Sequence, residues 1–253
     1  MRHARVLGLV GLTVAFAAVA FAQSTVTPVA PDAPVQTKPL VEAKPVWGDA
    51  KKGATLAGTC AACHGLDGNP TDAQYPRLAG MPERFVAQQL SLFKSGQRNT
   101  GMAAVMKPFA DALSAQDMRD LGAYFATQKA GAGVADDTLI AEGPNKDMKF
   151  YQVGERLFRQ GDATRGIPAC MACHGPSGAG NPGPAFPAVA GQTSAYVQRR
   201  LEEYRAGTTT QQDAHLFNIM AAVAKPLTDE EIRSVASYVQ GLHQRADASV
   251  ATQ

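Results

Sequence analysis

Apolar positions recur at helical spacing between residues 48 and 243, and they do so twice in the same order. Val86, Leu90 and Phe93 form one stripe and Val197, Leu201 and Tyr204 its counterpart, each at i, i+4, i+7, the spacing of one buried helical face. Gly96 and Gly207 follow as C-terminal caps. A last helix in each copy opens on an N-cap with an acid three residues on, Ser114 with Asp117 and Thr228 with Glu231. On these helices Met118, Leu121 and Phe125 match Ile232, Val235 and Val239, and Tyr124 matches Tyr238. Earlier helices carry Gly53 with Leu56 and Gly154 with Leu157. Glycine there admits a second helix at close range, with Tyr124 and Tyr238 as the expected partners. No stretch sustains the period-two alternation of a sheet. The fold class is therefore all-α, in two tandem units.

Outside the repeat, Arg2 and Arg5 precede an apolar run from Val6 to Ala22 ending in Ala20-Phe21-Ala22, so residues 1–22 read as a secretory signal peptide. The run is nearly long enough to stay as an anchor, and cleavage after Ala22 is the favoured outcome. Residues 23–47, with Pro28, Pro31, Pro34, Pro39 and Pro45, form a proline-rich flexible arm, read as a spacer rather than as a partner-binding element. Then come a first domain (48–130), a Gly-rich and polar linker (131–149), a second domain (150–243) and a tail (244–253). The expected location is the periplasm. Removing Arg2 and Arg5 leaves 22 Lys+Arg against 22 Asp+Glu. A chain so near neutral lacks the basic footprint of a nucleic-acid binder.

The chemistry resides in two copies of C-x-x-C-H, Cys60-Ala61-Ala62-Cys63-His64 and Cys170-Met171-Ala172-Cys173-His174, which use all 4 cysteines of the chain. Two thiols one helical turn apart can add to the two vinyl groups on a porphyrin edge, and the adjacent imidazole then reaches the iron. A four-cysteine zinc site would leave both histidines unused, and a thioredoxin-like pair expects a strand and a βαβ pattern around it. The cofactors implied are two covalently bound haem c groups, leaving no thiol for a disulfide. Each unit is small enough for apolar burial alone to be marginal, so a haem-free chain is expected to be largely unfolded.

With His64 and His174 on one face of each iron, the opposite ligand decides the function. In the second unit Met220 is the choice, in a segment read as a loop of small residues, eight residues before Thr228. His215 is its rival, without a counterpart in the first unit. There two methionines compete. Met102 heads Met102-Ala103-Ala104-Val105, a copy of Met220-Ala221-Ala222-Val223, whereas Met106 keeps the eight-residue distance to Ser114. Met106 is preferred because the ligand must be placed relative to the helix behind the haem. Pro76 and Pro187, twelve and thirteen residues after their histidines, are placed to offer carbonyls to the second imidazole nitrogens.

These motifs, with Tyr75-Pro76-x-Leu78-Ala79-Gly80 and its counterpart at Phe186, the phrase from Met106 through Pro108 and Ala110 to Leu113-Ser114, and Tyr238-Val239-Gln240-Gly241-Leu242, resemble class I c-type cytochromes. Two such units after a signal peptide resemble the two-haem cytochrome c4 family. The resemblance implies two tandem class I cytochrome c domains, each wrapped around one haem, facing each other with the haems close. It also implies an electron carrier rather than an enzyme. Its partners would be a quinol-oxidising cytochrome complex and a terminal oxidase, with peripheral membrane association and no nucleic acid. The cytochrome subunit of a periplasmic dehydrogenase is the alternative, and a dihaem peroxidase a more remote one. Unlike loops, including Arg159 to Pro168, imply unequal potentials.

Overall fold

Asp49 starts the first helix, α1 (Ala50–Leu56), by accepting hydrogen bonds from the amides of Lys51 and Lys52. A 3-10 turn, Ala57–Thr59, leads into α2 (Ala61–His64), which carries the first motif. Three longer helices follow: α3 (Glu83–Lys94), α4 (Ala103–Asp111) and α5 (Ala115–Thr127). The second copy repeats this order as α6 (Phe150–Gln160), α7 (Met171–His174), α8 (Ser194–Ala206), α9 (His215–Ala224) and α10 (Asp229–Gly241), with a 3-10 turn at Ala163–Arg165 before α7. This computed structural model describes residues 47–243, all within one compact unit. The signal segment, nearly all of the proline-rich arm and the tail lie outside the described residues. Among the described residues there is no strand, only three isolated bridges.

The pairings also repeat. In the first lobe α5 packs on α1 and α3, and in the second α10 packs on α6 and α8. Both expected capping boxes are present. Ser114 Oγ accepts from Asp117 N–H at 3.1 Å while Asp117 accepts from Ser114 N–H at 2.8 Å, and Thr228 and Glu231 exchange the same pair at 3.2 and 2.9 Å. A Cβ on Gly53 would lie 1.9 Å from the Asp120 carbonyl oxygen, and one on Gly154 2.0 Å from that of Ser234. In both crossings the next neighbour is the expected tyrosine, Tyr124 or Tyr238. Gly96 and Gly207, at φ of 71° and 70°, close α3 and α8 in the left-handed conformation that glycine takes most readily.

One expectation needs correction. The segments bearing the candidate methionines are helices, α4 and α9, rather than loops. Each is walled by its own lobe on one side and open on the other, so neither shows the regular stripe of a helix against solid protein. The linker 131–149 makes contacts of its own. It packs along the second lobe: Ile140 joins that core, Gly133 N–H donates to the Gln240 carbonyl, and Asp136 accepts from Arg233 at 2.8 Å while its N–H donates to Ser237 Oγ at 2.7 Å.

Candidate haem sites

Each motif cysteine pair and histidine lies on the wall of a large chamber. The first, about 1180 Å³, is lined by Cys60, Cys63 and His64, by Val86 and Phe93 of α3 and by Leu121 and Phe125 of α5. The second, about 1590 Å³, has Cys170, Cys173 and His174 with Phe158, Leu201, Phe217, Val235 and Val239. Met81, Phe85, Gln89, Gln192 and Tyr196 line both chambers, so the two abut.

The histidines are held as expected. Nδ1 of His64 donates to the Pro76 carbonyl and Nδ1 of His174 to that of Pro187, each at 2.9 Å. A carbonyl can only accept, so Nδ1 carries the proton and Nε2 keeps its lone pair for a metal. Burial lowers the pKa of both rings, against an opposite push from the carbonyls, which favours the neutral, ligating form. Burial likewise pushes the Cys60 thiol up, with Cys63 adding to it, and takes Cys170 up to about 11.

Both candidate methionines of the first lobe line its chamber. Met102 precedes the first turn of α4 and is exposed, whereas Met106 lies a turn further in and packs against Phe93, Ala103 and Ala110. Met220 lines the second chamber from the corresponding part of α9 and packs on the second core. His215 is exposed on the first turn of α9, outside that chamber.

These residues fit a covalently bound haem. Two thiols and a free imidazole nitrogen share one wall of an apolar chamber. Nε and Nη1 of Arg77 and Nε of Arg98 are buried without a protein partner among the described residues, and both arginines line the first chamber. Such orphaned cationic groups match a ring that is apolar at its centre and bears carboxylates at one edge.

The family model described as cytochrome c matches residues 50–129 and 152–243, one match per lobe. The chain is 40% identical over 196 residues to cytochrome c4 of Pseudomonas aeruginosa, an alignment covering 78% of this chain and 90% of the relative. The chain belongs to the cytochrome c4 family. The crystal structure of reduced recombinant cytochrome c4 from Pseudomonas stutzeri superposes with a TM-score of 0.65 at 37% identity, covering 78% of this chain and all of that one. A thiosulfate dehydrogenase electron acceptor of Thiomonas intermedia is 38% identical over 185 residues, 72% of this chain and 78% of that protein. Like other cytochromes c4, the chain is a dihaem electron-transfer protein with two tandem cytochrome c domains, carrying two haem c groups at its two C-x-x-C-H motifs. It works with redox partners.

Sequence reasoning overlooked Gln192 and Tyr196, at the boundary of the two chambers. For Gln192 the signal was available. Aligning Leu78-Ala79-Gly80 with Val189-Ala190-Gly191 sets Met81 against Gln192, one residue beyond the matched phrase.

Proposed function

We propose that the chain is a periplasmic carrier, not a catalyst, taking electrons from a quinol-oxidising complex and passing them toward a terminal oxidase. The thiols of Cys60, Cys63, Cys170 and Cys173 would hold the haems, with His64 and Met106 as the ligands of the first iron and His174 and Met220 as those of the second. One observation carries this reading: Met106 and Met220 occupy the same register on equivalent helices, each facing its own chamber and each eight residues before the cap of the helix behind it. Bound haem supplies one-electron chemistry between the ferric and ferrous states, and thioether ligation raises the potential. The chain's own residues would supply a ligand from each side of the iron, and they wall the chambers with apolar side chains and set them side by side. The signal-like run at residues 6–22 supports export.

The test is replacement of each methionine by alanine in the holoprotein. Met106→Ala and Met220→Ala each remove the methionine-to-ferric-iron charge-transfer band of one haem, and Met102→Ala leaves both bands. Loss of a band in Met102→Ala but not in Met106→Ala refutes the assignment. A second source of electrons, a periplasmic dehydrogenase, is favoured by the similarity to a protein named as an acceptor from thiosulfate dehydrogenase. Reduction rates of purified holoprotein by a quinol-oxidising complex and by such a dehydrogenase separate the two.

A further inference from the structure

The peptide group joining Pro76 to Arg77 is engaged at both ends. Its carbonyl accepts from His64 Nδ1 at 2.9 Å, and its N–H donates to Gln192 Oε1 at 2.8 Å. Gln192 Nε2 then donates to the Arg77 carbonyl at 2.9 Å, so the side chain grips this segment twice. Gln192 belongs to the other lobe, and it is only 3% exposed. Its own N–H donates to the Val189 carbonyl at 3.1 Å, and its Oε1 accepts a further bond from Thr193 N–H at 2.9 Å. The backbone partners fix which end of the amide is which, since an N–H only donates and a carbonyl only accepts.

A peptide group whose N–H is hydrogen-bonded is polarised toward its oxygen, because bonds in a chain strengthen one another. Gln192 thus makes the Pro76 carbonyl a better acceptor for the His64 proton. A stronger pull on that proton gives Nε2 more anionic character, raises its basicity toward iron and favours the ferric state. It also holds the ring in one orientation.

The second site has no such reach from across the interface. His174 donates to the Pro187 carbonyl at the same 2.9 Å, but the N–H of that peptide group, on Ala188, meets no protein acceptor among the described residues. The repeat sets Met81 in the place of Gln192. Met81 lines both chambers as Gln192 does, yet it offers no donor and only a weak acceptor.

We infer that Gln192 is a positioning residue for His64, acting through the Pro76–Arg77 peptide group from the opposite lobe to lower the reduction potential of the first centre, with no reciprocal device at the second. The inference rests on His64 being an axial ligand. If it is not, the wild-type protein lacks a low-spin histidine–methionine spectrum at the first centre, a failure visible before any variant is made.

The experiment is a redox titration of dihaem holoprotein with Gln192→Met, each haem followed by its own shifted methyl proton resonances. The first potential rises, its resonances move, and the second potential stays in place. No shift at the first haem, or equal shifts at both, overturns the inference. Thr193→Val separates tuning from loosened packing, because it removes the Thr193 Oγ1 to Tyr75 carbonyl contact of 3.3 Å between the lobes and leaves the peptide group untouched. It leaves the first potential unchanged, and a rise equal to that of Gln192→Met overturns the inference. Should Gln192→Met fail to give intact dihaem protein, Met81→Gln decides: it lowers the second potential, and an unmoved second potential overturns the inference.

Discussion

Replacing Gly154 by alanine drives a methyl group into the backbone of α10. The added carbon would lie 2.0 Å from the Ser234 carbonyl oxygen, 2.5 Å from its carbonyl carbon and 2.8 Å from Tyr238 Cβ, none of which a side-chain rotation can move. Reaching ordinary contact at 3.4 Å requires α6 and α10 to part by about 1.4 Å. Val153, Leu157 and Phe158 face Ile232, Val235 and Tyr238 in the core on this seam. A gap of 1 Å already forfeits about half of each contact, and at that fraction roughly 40 heavy-atom contacts at about 0.15 kcal/mol make the opening cost about 3 kcal/mol. Alanine returns about 1 kcal/mol of helix propensity. The net loss of about 2 kcal/mol lowers the Tm of a lobe of this size by roughly 10 °C. Circular dichroism of the holoprotein during heating reads the loss directly. Gly58→Ala is the control: an added carbon there meets nothing within 4 Å, and its Tm stays level or rises slightly. Val235 and Val239 of α10 also line the second chamber, so the optical spectrum of the second haem changes with Gly154→Ala and that of the first does not. A Gly154→Ala protein as stable as wild type refutes the claim that this crossing depends on glycine.

Other outcomes follow from the same contacts. Ser114→Ala and Thr228→Ala each lose about 1 kcal/mol, read as a lower denaturation midpoint, because each opens a capping box. Glu231 is buried, which pushes its pKa up, but hydrogen bonds from Arg165 and the Thr228 amide outweigh this and hold it below the usual carboxylate value. A depressed folded pKa contributes stability above the unfolded value of about 4.3 that is lost as pH falls through the folded value. Wild type therefore exceeds Arg165→Gln in urea resistance at neutral pH, and the difference narrows below about pH 4. A difference independent of pH refutes the pairing.

Local grammar carried much of this fold. The haem motifs, both capping boxes, the two glycine–tyrosine crossings and the proline carbonyls are written within a few residues of one another or repeated in register, so the sequence alone placed them. The helices α4 and α9 were missed because periodicity reports burial against protein. Val105 and Phe109 of α4 are exposed at 46% and 44%, and Pro108 inside the helix argues locally against it. The packing of 131–149 was missed for a different reason. Asp136 and Gly133 find their partners on α10, about a hundred residues away, and Ile140 joins a core built from four helices, where no local pattern points. Gln192 combines both difficulties, since its partner is backbone, which carries no sequence signature.

The distribution of buried side chains makes the haem-free state unequal between the lobes. In the first lobe the clusters are small: Ala57, Leu121 and Phe125 in one, Phe93, Ala103 and Ala110 in the other. The second lobe has one continuous cluster of thirteen buried residues, spanning α6, α8, α9, α10 and the strap that carries Ile140. Removing haem takes the centre from both chambers, and neither lobe is large enough to replace that burial. The α6–α10 seam nevertheless keeps Val153, Leu157, Phe158, Ile232, Val235 and Val239 in contact with one another, with Cys170 and Met171 of the motif packed against that cluster. Protein made without haem attachment therefore loses most of its helicity, and what remains resides in α6 and α10. Hydrogen exchange checks this residue by residue: amides of Val153 to Phe158 and Ile232 to Val239 retain protection longer than those of α1, α3 and α5. Native-like circular dichroism without haem, or stronger protection in the first lobe than in the second, would show that side-chain packing rather than the porphyrin supplies the core.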